Sequence, residues 1–199
     1  MDGSFVLYLI RHLETAANRE KRYVGWTDVP VCTDAGPVGF RPDLITGSDL
    51  IRCRQTAAHL FPGQVYRPDA DFRECHFGDW EMKTYEDLKS IPAYRRWITD
   101  PAVRCPPGGE RFSEIEARLD KGLVRLRERA GIHSAAVVSH GGPIRLMLSK
   151  LAPAETPFND WVVPAGSLHV LRWADKTQWE AGARCTFFSA EPITENGNM

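Results

Sequence analysis

Residues 5–12 read Phe5-Val-Leu-Tyr-Leu-Ile10-Arg11-His12, six apolar residues followed by an arginine and a histidine. A short, unbroken apolar run with β-branched and aromatic residues is typical of a strand that is buried on both faces, as in a parallel sheet. Residues 134–139, Ser-Ala-Ala-Val-Val-Ser, form a second such run, and His140-Gly141-Gly142 follows it. The two runs predict two central strands, each of which ends at a histidine.

The remaining segments predict alternating strands and helices. Four more strands are expected, at 43–46, 64–67, 168–173 and 178–188, the last at an edge or in a hairpin. Five helices are expected, at 48–61 with Ser48 as the N-cap, and at 85–89, 93–99, 112–130 and 142–151. This order favours one α/β domain over residues 1–199, a three-layer fold with an open, mostly parallel sheet and helices on both faces. Polar residues 195–199 are expected to fray.

Composition and charge argue against several classes of protein. The 199 residues include 25 basic and 26 acidic side chains, with no basic stripe that would indicate nucleic-acid binding. No apolar stretch approaches the roughly 20 residues that a membrane span needs. The run at 5–10 is shorter than that of a signal peptide and lacks a positive charge before it. The five widely spread cysteines have no zinc-type spacing, which predicts free thiols, no bound metal and a cytoplasmic setting.

The two strand ends are candidate positions for a binding site. In open α/β sheets, ligands bind outside the carboxyl ends of the strands. His12 and His140 both follow such ends, and Gly141-Gly142 opens a helix whose backbone N–H groups can approach an anion closely. Taken singly, each feature has an ordinary alternative, a polar loop histidine or a tight strand-to-helix turn.

Phosphoryl transfer needs a nucleophile, cations that hold the phosphate, and a proton source for the leaving oxygen. A neutral imidazole can attack phosphorus, and arginine presents a planar fork that matches phosphate oxygens. Arg11 and Arg52 supply such forks, and Glu74, in a loop with aromatic neighbours, supplies a carboxyl group. The alternative for Arg52 and Glu74 is an ordinary place on the solvated surface.

Several ordered stretches resemble the histidine phosphatase superfamily, which includes the phosphoglycerate mutases. Leu9-Ile-Arg11-His12-Leu13-Glu14-Thr15, continued to Asn18, resembles the signature RHGE-T-x-x-N. Further stretches are similar to family patterns at 23–36, 48–57, 72–88, 106–110 and 139–145. The resemblance covers almost the whole chain.

The resemblance implies a role for each candidate residue. His12 is the expected phosphoryl acceptor, and Glu74 is the expected general acid, later the base on the attacking water. The rest of the phosphate pocket is expected to comprise Arg11, Arg52 and His140, with further contacts from Asn18 and the backbone near Gly25 and Gly141. Family members need no metal or cofactor.

Within the superfamily the chain resembles the compact bacterial branch, which holds alpha-ribazole phosphatase, broad-specificity phosphatases and fructose-2,6-bisphosphatase-like members. The expected activity is hydrolysis of a small phosphomonoester, with alpha-ribazole phosphate or a sugar phosphate as candidates. Two alternatives stay open: a phosphoglycerate mutase or bisphosphatase, and a degenerate, non-catalytic phosphate-binding module. Hydrolysis is favoured over the mutase because only the short stretch 89–111 stands where mutases carry a substrate-gripping insert.

Three departures from the family patterns affect the expected structure. Leu13 replaces the glycine after the nucleophile and is expected to bring a side chain near the phosphate, and Met82 replaces a glycine after Trp80-Glu81. Residues 36–42 contain two prolines and two glycines where the family has its first connecting helix, so that helix is predicted to be shortened or missing. The thinly covered flank of the sheet is then open to a partner subunit, as in a homodimer.

Residues 77–112 are expected to form a lid over the phosphate. Aromatic side chains there, Trp80, Tyr85, Tyr94 and Trp97, are candidates either for walling in a ring-bearing leaving group or for packing the lid helices. The basic residues Arg95, Arg96 and Arg104 are candidates for a second anionic group on the substrate, or for ordinary solvated positions.

Overall fold

A computed structural model describes residues 3–193, so the predicted fraying of residues 195–199 lies outside the described part of the chain. Its strands are β1 (Phe5–Arg11), β2 (Leu44–Gly47), β3 (Tyr66–Pro68), β4 (Ser134–Ser139), β5 (Ser167–Trp173) and β6 (Phe187–Pro192). They form one sheet in the order β3-β2-β4-β1-β5-β6. The first four of these are mutually parallel, and β5 is antiparallel to both β1 and β6. The predicted α/β class is confirmed.

The five predicted helices are present in order, and two further short helices, at Ala16–Arg19 and Lys176–Glu180, were not predicted. In chain order the helices are α1 (Ala16–Arg19), α2 (Ile51–Leu60), α3 (Tyr85–Leu88), α4 (Pro92–Thr99), α5 (Phe112–Arg127), α6 (Gly141–Leu151) and α7 (Lys176–Glu180). Every helix that the structure describes is too short or too polar to cross a bilayer.

Two boundaries were predicted wrongly. Ser48 is not the N-cap of α2, because its hydroxyl accepts a hydrogen bond from the N–H of Leu50, and the helix begins only after that turn. The strand expected at 178–188 starts instead as α7, because Asp175 caps the N–H of Thr177 and Trp179 packs flat on Phe5 with ring centroids 4.6 Å apart. The edge strand begins later, at β6.

Two apolar layers cover the sheet, which is why its central strands read as unbroken apolar runs. On β1, Leu7 and Leu9 face the layer that contains α5, α6 and Trp179, whereas Ile10 faces the layer that contains α2. The same alternation holds on β4 and β5. The loops after β1 and β4 are therefore held by a core on each side.

The segment between β1 and β2 contains no helix at residues 36–42, as predicted. This part of the chain runs extended over the sheet, where the N–H of Val38 bonds to the carbonyl of Leu60 and Phe40 stacks on Tyr8 with ring centroids 4.0 Å apart. Tyr8 and Val6 stay partly exposed. One flank of the sheet is thus covered by single side chains rather than by a helix.

Candidate active site

The two histidines meet because β1 and β4 are parallel neighbours whose ends are in register. Arg11 pairs with Ser139, and the N–H of His12 continues the ladder to the carbonyl of Ser139 at 3.0 Å. His12 and His140 therefore emerge side by side, with ring centroids 5.2 Å apart. Both rings are almost fully buried.

His12 is held as a neutral imidazole with one nitrogen available. Its Nδ1 lies 2.7 Å from the carbonyl oxygen of Leu13, which only accepts, so Nδ1 carries the proton and Nε2 keeps its lone pair. Burial, and then the charges of Arg52 and Arg11, hold the pKa of His12 well below its usual value. A neutral Nε2 is the form that attacks phosphorus.

Arg52 is fully buried at the start of α2. Its Nη groups donate to the carbonyls of Thr27 and Gly25, and its Nε donates to Nδ1 of His140 at 3.2 Å. Because a guanidinium only donates, Nδ1 of His140 is the acceptor and the neutral ring carries its proton on Nε2, which faces the Cys53 sulfur at 3.6 Å. Burial and the charge of Arg52 keep the pKa of His140 well below its usual value.

Arg11 closes the other side of the histidine pair. Its Nη1 donates to the carbonyl of Val163 at 2.5 Å, and its guanidinium lies against Gly141, the first residue of α6. Its Nε is buried and has no hydrogen-bond acceptor among residues 3–193. An unpaired guanidinium donor beside the positive end of a helix is a binding position for an anion.

Glu74 reaches this group from the loop after β3. Its carboxylate accepts from its neighbour, the N–H of Cys75, at 2.9 Å, and from the N–H of Gly142 at 3.1 Å. A Cβ on Gly142 would lie 2.4 Å from Oε1 of Glu74, so only glycine permits this approach. The group of His12, His140, Arg11, Arg52 and Glu74 is called the histidine site below.

The side-chain oxygen of Asn18 and the backbone of Gly25 are committed to other contacts. The side-chain oxygen of Asn18 accepts from the N–H and hydroxyl of Thr15, which closes the cap of α1. The N–H of Gly25 donates to Glu81, and its carbonyl accepts from Arg52. Gly25 therefore stands behind Arg52, on a loop that the half-buried carboxylate of Glu81 holds.

The two substituted glycine positions differ in effect. The side chain of Leu13 is buried and lies near Gly166, and its N–H donates to the Thr56 hydroxyl, so the expected closeness of this side chain to the phosphate stays a prediction. Met82 adopts φ of 62°, in the left-handed region where glycine is favoured. This conformation explains why the family pattern has glycine at that position.

Arg118 on α5 supports the Glu74 loop and was missed by the sequence reasoning. It donates to the carbonyls of Asp71, Arg73 and Glu74 and forms an ion pair with Glu110 at 2.7 Å. Its signal in the sequence was an arginine between Ile115 and Leu119, on the apolar side of a helix.

Replacing Arg118 by methionine is expected to lower the free energy of unfolding by about 3 kcal/mol, because the Glu110 carboxylate would stay buried without its partner. Urea denaturation monitored by circular dichroism measures this loss. The matched control is Arg125→Met, which removes a half-exposed pair with Asp69 and Asp71 and should cost at most about 1 kcal/mol. Equal losses in the two variants would contradict the account.

The buried histidines also predict a dependence of stability on pH. Between the ordinary histidine pKa and the lower folded one, the unfolded chain binds protons that folded His12 and His140 do not, so stability falls as pH falls below about 6.5. Burial shifts the pKa of His169 in the same direction. Each group contributes up to about 1.4 kcal/mol per pH unit. Urea denaturation at pH 7.5 and 5.5 measures this change in the free energy of unfolding. The change should be smaller in His140→Asn than in the wild type. Equal wild-type free energies at the two pH values would contradict the prediction.

A cavity of about 390 Å³ opens beside Glu74. Its aromatic walls come from Tyr23, Phe77, Trp97, Phe112 and Phe158, and its basic residues are Arg11, Arg104 and Arg145. This space is called the aromatic cavity below. Of the other lid residues, Trp80 and Tyr94 do not line the cavity and are buried in a cluster with Leu88, so they pack the lid. Arg95 and Arg96 do not line this cavity.

A sheet that brings two neutral histidines, two arginines and a carboxylate to one edge defines an α/β enzyme of the phosphoryl-transfer class. A family model described as the histidine phosphatase superfamily (branch 1) matches residues 38–184, and the chain belongs to that superfamily and is a phosphatase. The matched residues include Arg52, Glu74 and His140 but not His12.

Similarity to named proteins supports this family assignment. The adenosylcobalamin/alpha-ribazole phosphatase of Escherichia coli (strain K12) is 32% identical over 169 residues, 75% of this chain and 81% of that protein. The phosphoglycerate mutase structure from Thermus thermophilus has a TM-score of 0.65 and 29% identity, covering 92% and 98% of the two chains. The alpha-ribazole phosphatase structure from Shigella flexneri, 24% identical, has a TM-score of 0.79 over 98% and 99% of the chains, which shows the shared fold.

Proposed function

We propose that this phosphatase hydrolyses a small phosphomonoester through a phosphohistidine on His12. The observation that carries the proposal is the hydrogen bond from Nδ1 of His12 to the Leu13 carbonyl, which leaves Nε2 as a neutral nucleophile. The charges of Arg52 and Arg11 act on the same ring and favour its neutral form. Nε2 attacks phosphorus as the bond to the leaving oxygen breaks. Arg11, Arg52 and the N–H of Gly141 hold the phosphoryl oxygens, and His140 positions Arg52.

Glu74 handles the protons on the leaving-group side. As the acid, its carboxyl group protonates the departing oxygen, and the alcohol leaves through the aromatic cavity. The resulting carboxylate then takes a proton from a water that attacks the phosphohistidine, which releases inorganic phosphate and restores both Nε2 and the acid. The amide of Asn18 is a further candidate contact to the phosphoryl group.

The aromatic cavity supports a leaving group that carries a ring. Its volume and aromatic walls suit a compact cyclic group. Because one relative is named as an adenosylcobalamin/alpha-ribazole phosphatase, alpha-ribazole phosphate is a specific candidate, and sugar phosphates are a second.

A panel assay tests the proposed function. Purified enzyme is incubated with p-nitrophenyl phosphate, alpha-ribazole phosphate, sugar phosphates, and 3-phosphoglycerate with its bisphosphate cofactor. We expect release of inorganic phosphate with saturation kinetics, and no conversion of 3-phosphoglycerate into its isomer. Binding of phosphate without turnover of any substrate would contradict the proposal and favour a non-catalytic phosphate-binding module.

A further inference from the structure

Arg145 is a charged residue of the aromatic cavity that the proposed reaction does not use. It lies one helical turn after Gly141 in α6 and lines the same cavity as Arg11 and Glu74. Side chains on a helix lean toward its N-terminus, which for α6 is the end at the histidine site. Arg145 is thus placed next to the point where a leaving group would stand.

The guanidinium of Arg145 lacks a partner in the described part of the chain. Its Nε is buried without a hydrogen-bond acceptor, and Arg145 forms no ion pair there. The Cζ atom of Arg145 lies over the ring of Phe158, 5.9 Å from its centroid. A buried donor without an acceptor is destabilising, and a ring face does not satisfy it. A bound molecule with an acceptor at this point would remove that cost.

The charges of the cavity point to an anionic acceptor. Arg11 and Arg52 match the two negative charges of a phosphomonoester, and Glu74 is neutral while it acts as the acid. The charge of Glu110, also at the cavity, is met by Arg118. Arg145 is left without compensation, and the exposed Arg104 adds to the positive potential. A planar guanidinium fork matches a carboxylate or a phosphate, so a neutral leaving group would leave it unpaired.

Resting on the proposed function, we propose that Arg145 is a specificity-determining residue that binds a second anionic group, a carboxylate or a phosphate, on the leaving-group side of the substrate. Arg145 follows Gly141 by one turn of α6, so the second anionic group is expected on the leaving-group side, close to the transferred phosphoryl group. The aromatic walls hold the part of the substrate that connects the two. The preferred substrates are therefore phosphomonoesters with an acidic leaving group. Alpha-ribazole phosphate and simple sugar monophosphates, which release neutral alcohols, are expected to have a lower kcat/KM than such substrates.

Two isosteric substrates test the proposal. 3-Carboxyphenyl phosphate carries the second charge, whereas 3-carbamoylphenyl phosphate has nearly the same shape and no charge there. We expect kcat/KM of the wild type to be at least tenfold higher for the carboxylate. In Arg145→Gln the ratio of the two kcat/KM values is expected to fall to near one, whatever the absolute rates. A third substrate, 1,3-phenylene bisphosphate, distinguishes the two anions: a larger preference for it identifies a phosphate as the second group.

The control is Arg95→Gln, a lid arginine that does not line the aromatic cavity, and its ratio should equal that of the wild type. Arg145→Lys keeps a charge without the fork and should give an intermediate ratio. A wild-type ratio near one for both anionic substrates would overturn the assignment without any variant, as would an unchanged ratio in folded Arg145→Gln. Hydrolysis of all three substrates at equal rates would leave the proposed function intact, whereas hydrolysis of none would overturn that function instead.

Discussion

Replacing His12 by alanine is expected to reduce kcat for every phosphomonoester by about four orders of magnitude or more, because the substitution removes the nucleophile while leaving the arginines in place. Substrate binding should survive, since Arg52 is held by the carbonyls of Thr27 and Gly25 independently of His12. Steady-state kinetics with p-nitrophenyl phosphate measure the loss. Direct binding of inorganic phosphate to the His12→Ala variant reports whether the pocket is intact.

The matched control for this prediction is His133→Ala, which replaces an exposed histidine next to β4. Its kcat should equal that of the wild type. A His12→Ala enzyme that folds normally and keeps more than a few per cent of wild-type kcat would show that another group attacks phosphorus.

Glu74→Gln is expected to produce the second-largest loss, and one that depends on the leaving group. For an alkyl phosphate, whose alkoxide needs a proton, kcat should fall by about 10²–10⁴-fold. For p-nitrophenyl phosphate, whose phenolate leaves without a proton, the loss in the transfer step should be much smaller. Glutamine keeps the acceptor for the N–H of Gly142, so the loop should stay in place.

Single-turnover kinetics separate this transfer step from the later hydrolysis of the intermediate. Glu86→Gln, an exposed carboxylate on α3 of the lid, is the control and should behave as the wild type. If Glu74→Gln slowed both kinds of substrate by the same factor in the transfer step, Glu74 would not be the general acid.

Much of the fold was predictable because its signals are local. The runs at 5–10 and 134–139 carry the whole pattern of a strand buried on both faces, and the prolines and glycines of 36–42 prevent a helix regardless of their surroundings. The convergence of His12 and His140 was predictable because both follow the carboxyl ends of strands, where ligands bind in open α/β sheets. In the structure, the register that pairs Arg11 with Ser139 brings the two histidines together.

The errors arose where distant contacts outweigh local preference. Residues 178–188 contain a pattern that suits either helix or strand, and the packing of Trp179 on Phe5, far away in sequence, favours α7. Ser48 is a good capping residue by type, but it is fully buried and serves the turn before α2 instead.

The supporting residues of the site likewise could not be predicted from the local sequence. Arg118 and Arg145 each lie on a helix whose sequence gives no indication of the loop or cavity that they face. Whether the oxygen of Asn18 or the N–H of Gly25 is free depends on Thr15 and Glu81, contacts that only the folded chain defines. The orientation of an imidazole, as in His12, likewise depends on a hydrogen bond to backbone.

Trapping the covalent intermediate is the most direct measurement. Enzyme mixed with excess substrate is quenched in alkali after a few milliseconds, digested, and mapped by mass spectrometry for acid-labile, alkali-stable phosphate. We expect one phosphate per enzyme molecule, on Nε2 of His12, that forms before inorganic phosphate is released and is absent from His12→Ala. A burst-free reaction with no phosphopeptide, or a phosphate found on His140 or elsewhere, would contradict the account.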